Sequence, residues 1–162
     1  MITEQTIQNW LVEEGLFKEK IHDENANYHF IVNYPEDNVI DLLQVKGKED
    51  SIILGCGTMV DPQQQELIKA LPQAKQEKLI WDFKSAINKF LMDFQLEHPN
   101  NILHLFVITD QIFFDGLNKH SLISTIKKIF KVKLQCLLIL EKYLGIVHQN
   151  PNNVPQDNAM FG

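Results

Sequence analysis

The chain has 162 residues, of which 44% are hydrophobic and 22% are charged. These are values of a globular protein of ordinary domain size, and they exclude a wholly disordered or fibrous chain. Its 15 positive side chains are all lysines, and 21 acidic side chains bring the net charge to −6. Because an acidic chain without arginine repels a phosphate backbone, we expect no binding to nucleic acid.

The sequence shows no targeting signal, and its cysteine usage fits the cell interior. No apolar run reaches the roughly 18 residues that a membrane span needs, and the N-terminus lacks the basic and apolar regions of a secretory signal. We therefore expect a cytoplasmic protein that binds no membrane. Cys56 and Cys136 lie in apolar runs, which favours buried thiols over a disulfide.

The first half of the chain predicts one helix and three strands. Ile7, Trp10 and Leu11 have helical spacing within residues 3–14, and Gly15 can end that helix. Strands are predicted over residues 28–34, 39–45 and 51–60, and their short connections predict an antiparallel meander.

A helix is predicted to follow the meander. Asp61 and Pro62 mark its start, and Pro72 is expected to break or kink it. The strongest periodic signal comes next, a helical stripe formed by Leu79, Ile80, Phe83, Ile87, Phe90, Leu91 and Phe94.

The period changes to two near Met92, which indicates that a strand takes over. After a turn at residues 99–101, a long strand is predicted over residues 102–114. Both of its faces are largely apolar, so it should be central and covered on both sides, by helices or by a second subunit. Asn118 is expected to cap a last helix that runs to about Leu144.

The predicted order is therefore α-β-β-β-α-β-β-α, an α+β fold with one antiparallel sheet. We expect a single domain over residues 1–146. Residues 147–162 are rich in asparagine and proline, which predicts a flexible C-terminal tail.

Catalytic and cofactor motifs are weak. Gly55 and Gly57 flank Cys56, but the third glycine and the lysine of a phosphate loop are missing. The histidines have no metal-ligand spacing, so no metal and no cofactor are predicted. One alternative stays open, a small-ligand site or enzyme pocket around His104, Asp110 and Cys56.

Large aromatic side chains are numerous for one small sheet, which suggests a face that meets another chain. Its predicted contact residues are Trp10 and Phe17, placed on the first helix, and Phe113 and Phe114 at a strand end.

Four segments carry a family resemblance. The run from Phe94 to Asn101, with the run from Phe106 to Leu117, resembles a prokaryotic family known only as domain of unknown function 2299. Residues 18–30 and 46–50 resemble it too, and the likeness spans about residues 3–144. It implies a fold similar to type III secretion chaperones, which are small, acidic, usually dimeric proteins that hold an extended segment of a partner.

The leading hypothesis is thus a non-enzymatic, chaperone-like module, expected to be a homodimer, that binds a protein or peptide segment. Apolar grooves suit an amphipathic helix, and free sheet edges suit an added strand. A purely structural subunit of a larger assembly is a third possibility.

Overall fold

The computed structural model describes residues 1–145. Over that range the elements are, in chain order, α1 (Glu4–Glu13), β1 (Phe17–Ile21), β2 (Ala26–Asn33), β3 (Val39–Val45), β4 (Ser51–Met59), α2 (Pro62–Lys69), α3 (Gln73–Lys89), β5 (Asp93–Glu97), a 3-10 turn (Pro99–Asn101), β6 (Leu105–Phe113) and α4 (Lys119–Leu144).

The strands form a six-stranded antiparallel sheet in the order β1-β2-β3-β4-β6-β5. This confirms the predicted α+β class and, in broad terms, the predicted order of elements. The predicted meander corresponds to β2, β3 and β4, in which Phe30 lies opposite Leu42 and Leu42 opposite Leu54. Pro72 separates α2 from α3 and so ends one helix before the next begins.

The strand β1 is an addition to the predicted order. Its sequence is Phe-Lys-Glu-Lys-Ile, in which only the two end residues are apolar. Phe17 therefore belongs to β1 and not to the first helix, where the sequence pattern places it. The pairing of β1 with β2 is irregular between Phe17 and Glu19.

Both edge strands expose charged or polar side chains. In β1 the exposed residues are Lys18, Glu19 and Lys20. In β5 they are Asp93, Gln95 and Glu97. Exposed charges and irregular pairing at an edge disfavour the addition of a further strand.

The described residues form two compact units. The first contains residues 1–56 and 109–130, and the second contains residues 57–108 together with residues 131–145. The single domain over residues 1–146 stays a prediction. The predicted tail, residues 147–162, lies outside the described residues.

The core of the first unit lies between α1 and the sheet. Ile7 and Leu11 are fully buried on one face of α1, and the ring of Phe30 packs in the sheet against Phe17 and Tyr28 at 5.6 and 5.4 Å between centroids. Asn118 caps α4 as predicted, because its Oδ1 accepts the backbone N–H of Ser121 at 2.9 Å.

The core of the second unit centres on α3. Leu79, Phe83 and Ile87 are fully buried, and the ring of Phe83 meets Phe106 of β6 edge-on at 5.2 Å. The apolar stripe predicted for this helix is thus a core face as far as Ile87. Beyond that residue the helix ends, and the next two members of the stripe, Phe90 and Leu91, are exposed.

The strand β6 starts at Leu105 instead of residue 102. Asn100 and Asn101 adopt left-handed backbone conformations, with φ of 54° and 63°, which asparagine tolerates better than most residues. This turn delays the strand. In its centre Phe106, Val107 and Ile108 are all buried, so both faces are covered there, as the sequence predicts.

Candidate functional site

The four predicted contact residues lie in the first unit. Trp10 on α1 is half-buried, and so are Phe17 and Phe114. Phe113, the last residue of β6, is 51% exposed. Three of the four rings are thus partly covered, and Phe113 is the most exposed of the four. Their role in binding stays a prediction.

The residues of the alternative pocket, His104, Asp110 and Cys56, each hydrogen-bond to residues outside this set. The backbone of His104 accepts from the N–H of Val60 and donates to the carbonyl of Glu97, both at 2.8 Å. The side chain of Asp110 accepts the N–H of Gln111 at 2.9 Å. Cys56 is buried and its thiol lies 3.4 Å from the carbonyl oxygen of Val39. None of the three lines the groove described next, and their pocket stays a prediction.

A groove of about 550 Å³ lies between α3 and α4 in the second unit. Its lining residues follow helical spacing on both sides, so that one face of each helix forms one wall. They are Asp82, Ser85, Ala86, Lys89 and Phe90 from the α3 side, and Gln135, Leu138, Ile139 and Lys142 from α4.

Large apolar side chains stand exposed at this groove. Phe90 and Leu138, which line it, are each 49% exposed. Trp81 is 71% exposed and lies one helical turn before the lining residue Ser85. Leu134 lies one turn before Leu138 and is exposed as well. Together with Leu91, these side chains make up what we call the α3–α4 apolar surface.

The end of α3 explains why Phe90 and Leu91 face solvent. The N–H of Leu91 donates to the carbonyl of Asn88, and the N–H of Met92 donates to that of Ile87. This is the bond pattern of a Schellman motif, in which the residue after the helix cap takes a left-handed conformation. Leu91 holds that position with φ of 60° and is 90% exposed.

A leucine is an unusual choice there. Left-handed backbone costs an L-residue about 1–2 kcal/mol, and glycine normally fills this place. Leu91 therefore combines backbone strain with an apolar side chain that contributes almost nothing to the core. Strained residues of this kind concentrate at functional sites.

Asp82 and Tyr143 join the two walls of the groove. The Tyr143 hydroxyl donates a hydrogen bond of 2.6 Å to Oδ2 of Asp82. Burial, together with this bond and the nearby carboxylate charge, raises the pKa of Tyr143 to about 12. The phenol therefore stays protonated at neutral pH and remains a donor.

The two helix segments that flank the groove are basic although the chain is acidic. The helix α3 and residues 131–144 of α4 carry seven lysines and three acidic residues, a net charge of +4, whereas the whole chain has a net charge of −6. Lys89 and Lys142 line the groove itself. The groove thus combines apolar contacts with ammonium groups, a combination suited to an amphipathic, acidic ligand.

A second polar cluster lies in the first unit, around His29 on β2. The His29 ring is 3% exposed, with Nε2 2.6 Å from Oδ1 of Asp41 and Nδ1 2.9 Å from Oδ2 of Asp23. Burial alone lowers the pKa of His29, but the hydrogen bonds to Asp41 and Asp23 outweigh it and raise the pKa above its ordinary value.

Both ring nitrogens of His29 are therefore engaged by carboxylates, which suits the protonated imidazolium. Asp23 also accepts the N–H of Asn25 at 2.9 Å, so the cluster pins the loop before β2 to strands β2 and β3. Among residues 1–145, no three His, Cys, Asp or Glu side chains form a group suited to a metal ion. We assign the cluster a structural role.

Trp81 and Phe90 belong to the surplus aromatics of the sequence, but they are not among its predicted contact residues. A signal for the groove was present, because the exposed face of α4 repeats Leu134, Leu138 and Lys142 at intervals of four residues. This repeat alone does not predict a groove, because the sequence of one helix does not show which of its faces a neighbouring helix covers.

The fold and the groove define a class, a small α+β protein whose sheet carries helices with an open, partly apolar groove between two of them. Within that class, the chain belongs to the family of uncharacterized conserved proteins DUF2299, whose family model matches residues 3–140. The predicted resemblance to this family is thereby confirmed.

The solved structures agree. The chain is similar to an uncharacterized protein from Methanothermobacter thermautotrophicus, with 45% identity and a TM-score of 0.86 over 89% of this chain and 100% of that one. It is also similar to YbjN from E. coli, with 14% identity and a TM-score of 0.53 over 85% and 92% of the two chains. At that identity the likeness to YbjN shows the fold alone. No curated protein matches the sequence.

Across the described residues, no helix combines the length with the apolar character that a bilayer crossing demands.

Proposed function

We propose that this protein is a non-enzymatic module that binds a protein or peptide segment, and that the groove between α3 and α4 is its docking surface. The observation that carries the proposal is the α3–α4 apolar surface. Scattered single apolar residues are normal on a protein surface, whereas exposed apolar side chains on both walls of one groove, here Phe90 and Leu138, are typical of a binding site.

The shape of the site favours a helix as the bound element. The lining residues come from one face of each of two helices, and amphipathic helices dock into grooves between helices through side chains at helical spacing. Strand addition has less support, because the edge strands β1 and β5 expose Lys18, Glu19 and Lys20 on one side and Asp93 and Glu97 on the other.

The wider proposal is a cytoplasmic, chaperone-like protein that acts as a homodimer. Its support is the acidic chain, the α+β order and the resemblance to secretion chaperones that the sequence implies. Light scattering at tens of micromolar tests the homodimer separately, and a monomer at that concentration would remove the homodimer from the proposal.

Selection from a displayed library of random peptides tests the binding function even while the natural partner is unidentified. The bait is the full chain, and the comparison is the variant Phe90→Asp/Leu138→Asp, which places carboxylates on both walls of the groove. We expect enriched peptides with micromolar dissociation constants that weaken at least about tenfold on the variant, since one charge buried against apolar surface costs more than 1.4 kcal/mol.

The control variant Val12→Asp/Met59→Asp replaces two apolar residues that are also exposed but do not line the groove. It should leave binding unchanged, and circular dichroism should show that both variants remain folded. A library that yields no binder, or binders that the groove variant retains at full strength, would remove the proposed function.

A further inference from the structure

Lys89 and Lys142 give the groove a charge opposite to that of the chain, and this identifies the chemistry of the partner. We propose that the α3–α4 groove selects an acidic amphipathic helix, one whose apolar side chains are flanked by aspartate or glutamate. The inference rests on the proposed function and adds the charge of the bound segment to it.

The two ammonium groups lie where the flanks of a docked helix would pass. Lys89 is the last residue of α3, and Lys142 lies in the last turn of α4. Both line the same groove as the apolar side chains of Phe90 and Leu138. A helix that places apolar residues on Phe90 and Leu138 therefore brings its flanking residues toward these lysines.

The acidic group in the groove already has a partner. Asp82 is the carboxylate that lines the groove within the described residues, and it accepts the 2.6 Å hydrogen bond from Tyr143. A basic ligand would have to compete for this carboxylate, whereas an acidic ligand meets Lys89 and Lys142, whose ammonium group also lies 5.9 Å from the centre of the Tyr143 ring.

The charge around the groove has the same sign as the two lysines. Lys78 lies one helical turn before the lining residue Asp82, and Lys131 lies one turn before the lining residue Gln135, so the positive charge continues along both walls. On a chain of net charge −6, this local surplus attracts an acidic segment that most other surfaces of the protein would repel. Such complementarity sets which partner docks and how fast it arrives.

The concave shape favours a helix over an anionic membrane as the acidic partner. A membrane-binding face presents its apolar and basic groups on a protruding surface. Here Phe90, Leu138 and both lysines line a recess.

Three synthetic peptides of about 16 residues, roughly four helical turns, provide the probes. They share one set of leucine and phenylalanine anchors at helical spacing and carry glutamate, glutamine or lysine at the flanking positions. Each peptide carries a fluorescent label, and its fluorescence anisotropy during titration with the unmodified chain reports binding.

We expect the glutamate peptide to bind about fivefold to tenfold more tightly than the glutamine peptide, the size of effect that two partly exposed ion pairs supply. The lysine peptide should bind most weakly, and raising the salt from about 0.05 to 0.5 M should remove most of the difference. Lys89→Glu/Lys142→Glu should reverse the order of the glutamate and lysine peptides. The matched control Lys46→Glu/Lys48→Glu, which makes the same charge change in the turn after β3, should preserve it.

The outcomes separate the two proposals. If all three peptides bind equally and Phe90→Asp/Leu138→Asp abolishes binding, the docking groove stands and the acidic preference is overturned. If no peptide and no library member binds, the proposed function itself fails. Binding of the protein to vesicles of phosphatidylglycerol through Lys89 and Lys142, without binding of the glutamate peptide, would overturn the inference in favour of a membrane partner.

Discussion

The phenol of Tyr143 donates a 2.6 Å hydrogen bond to Oδ2 of Asp82, and this contact fastens the C-terminal end of α4 to the middle of α3. The two residues lie 61 positions apart in sequence. The bond sets the spacing of the groove walls at one end, because Asp82 itself lines the groove.

Tyr143→Phe should lower the free energy of unfolding by about 1–2 kcal/mol, since a hydrogen bond to a carboxylate is lost and the ring is kept. Urea denaturation measures the change, and the slope of the transition should stay the same. Tyr34→Phe is the control, because it also removes one tyrosine hydroxyl, at a position far from Asp82 in sequence. The Tyr34 ring packs on the ring of Phe130, with 6.0 Å between centroids. Equal losses of unfolding free energy in the two variants would show that the hydrogen bond to Asp82 does not stabilise the protein.

Leu91 offers a test of whether the site trades stability for binding. Leu91→Gly should raise the free energy of unfolding by up to about 1 kcal/mol, because glycine adopts the left-handed conformation without the steric cost, less the entropy that glycine loses on folding. The same variant should weaken groove-dependent peptides, since it removes the most exposed apolar side chain of the α3–α4 apolar surface. Thermal or urea denaturation and peptide titration measure the two effects.

Leu91→Ala separates the two contributions. Alanine keeps the Cβ atom and hence the backbone strain, so stability should stay close to that of the parent while binding falls. A Leu91→Gly variant less stable than the parent would contradict the strain assigned to this position.

The His29 cluster predicts how stability depends on pH. Because the folded-state pKa of His29 is raised above the unfolded value of about 6.5, its contribution is fully present below that value. It is lost as the pH rises through the folded pKa. We expect the free energy of unfolding to fall as the pH is raised above about 6.5, and denaturation at a series of pH values measures this.

Asp23 acts in the opposite direction. Burial raises its pKa, but the hydrogen bonds from His29 and from the N–H of Asn25 outweigh burial and lower it. Its contribution is therefore present above the ordinary aspartate pKa of about 3.9 and is lost as the pH falls through the lower folded value. Stability should decline at strongly acidic pH for this reason.

His29→Gln should remove the decline above neutral pH, and His120→Gln, a change of an exposed histidine on α4, should preserve it. Breaking the cluster can cost about 3–5 kcal/mol and prevent folding. An NMR titration of the His29 ring in the parent chain is therefore the second measurement, and a titration midpoint below 6.5 would contradict the raised pKa.

Two neighbouring aromatics of α3 should respond in opposite ways to truncation. Phe83 is fully buried against Phe106, and Phe83→Ala should cost about 3–5 kcal/mol of stability. Trp81 is largely exposed, and Trp81→Ala should change stability by no more than about 0.5 kcal/mol while it weakens peptide binding. Urea denaturation distinguishes them, and a large loss of stability with Trp81→Ala would show that this side chain belongs to the core.

The sequence predicts the core of α3 well, because burial on one side of a helix imposes a period that Leu79, Phe83 and Ile87 display directly. The sequence predicts the end of this helix less well. Phe90 and Leu91 continue the apolar pattern, yet the chain leaves the helix at Lys89. The Schellman motif ends the helix here, and it has Leu91 at the position where a glycine would have indicated the helix end.

The sequence pattern does not predict the strand β1, for a related reason. Lys18, Glu19 and Lys20 give it no alternating apolar pattern, since an edge strand has fewer neighbours to bury it. The groove could not be read from either helix alone, because the positions of Phe90 and Leu138 on facing walls depend on tertiary packing.

The charged borders of the sheet have a practical consequence for the handling of the protein. Lys18, Glu19 and Lys20 at one border and Asp93 and Glu97 at the other place hydrated charges where copies would stack edge to edge. Growth of the sheet into fibrils is thereby discouraged, and concentrated samples should stay free of ordered aggregates while the native state persists.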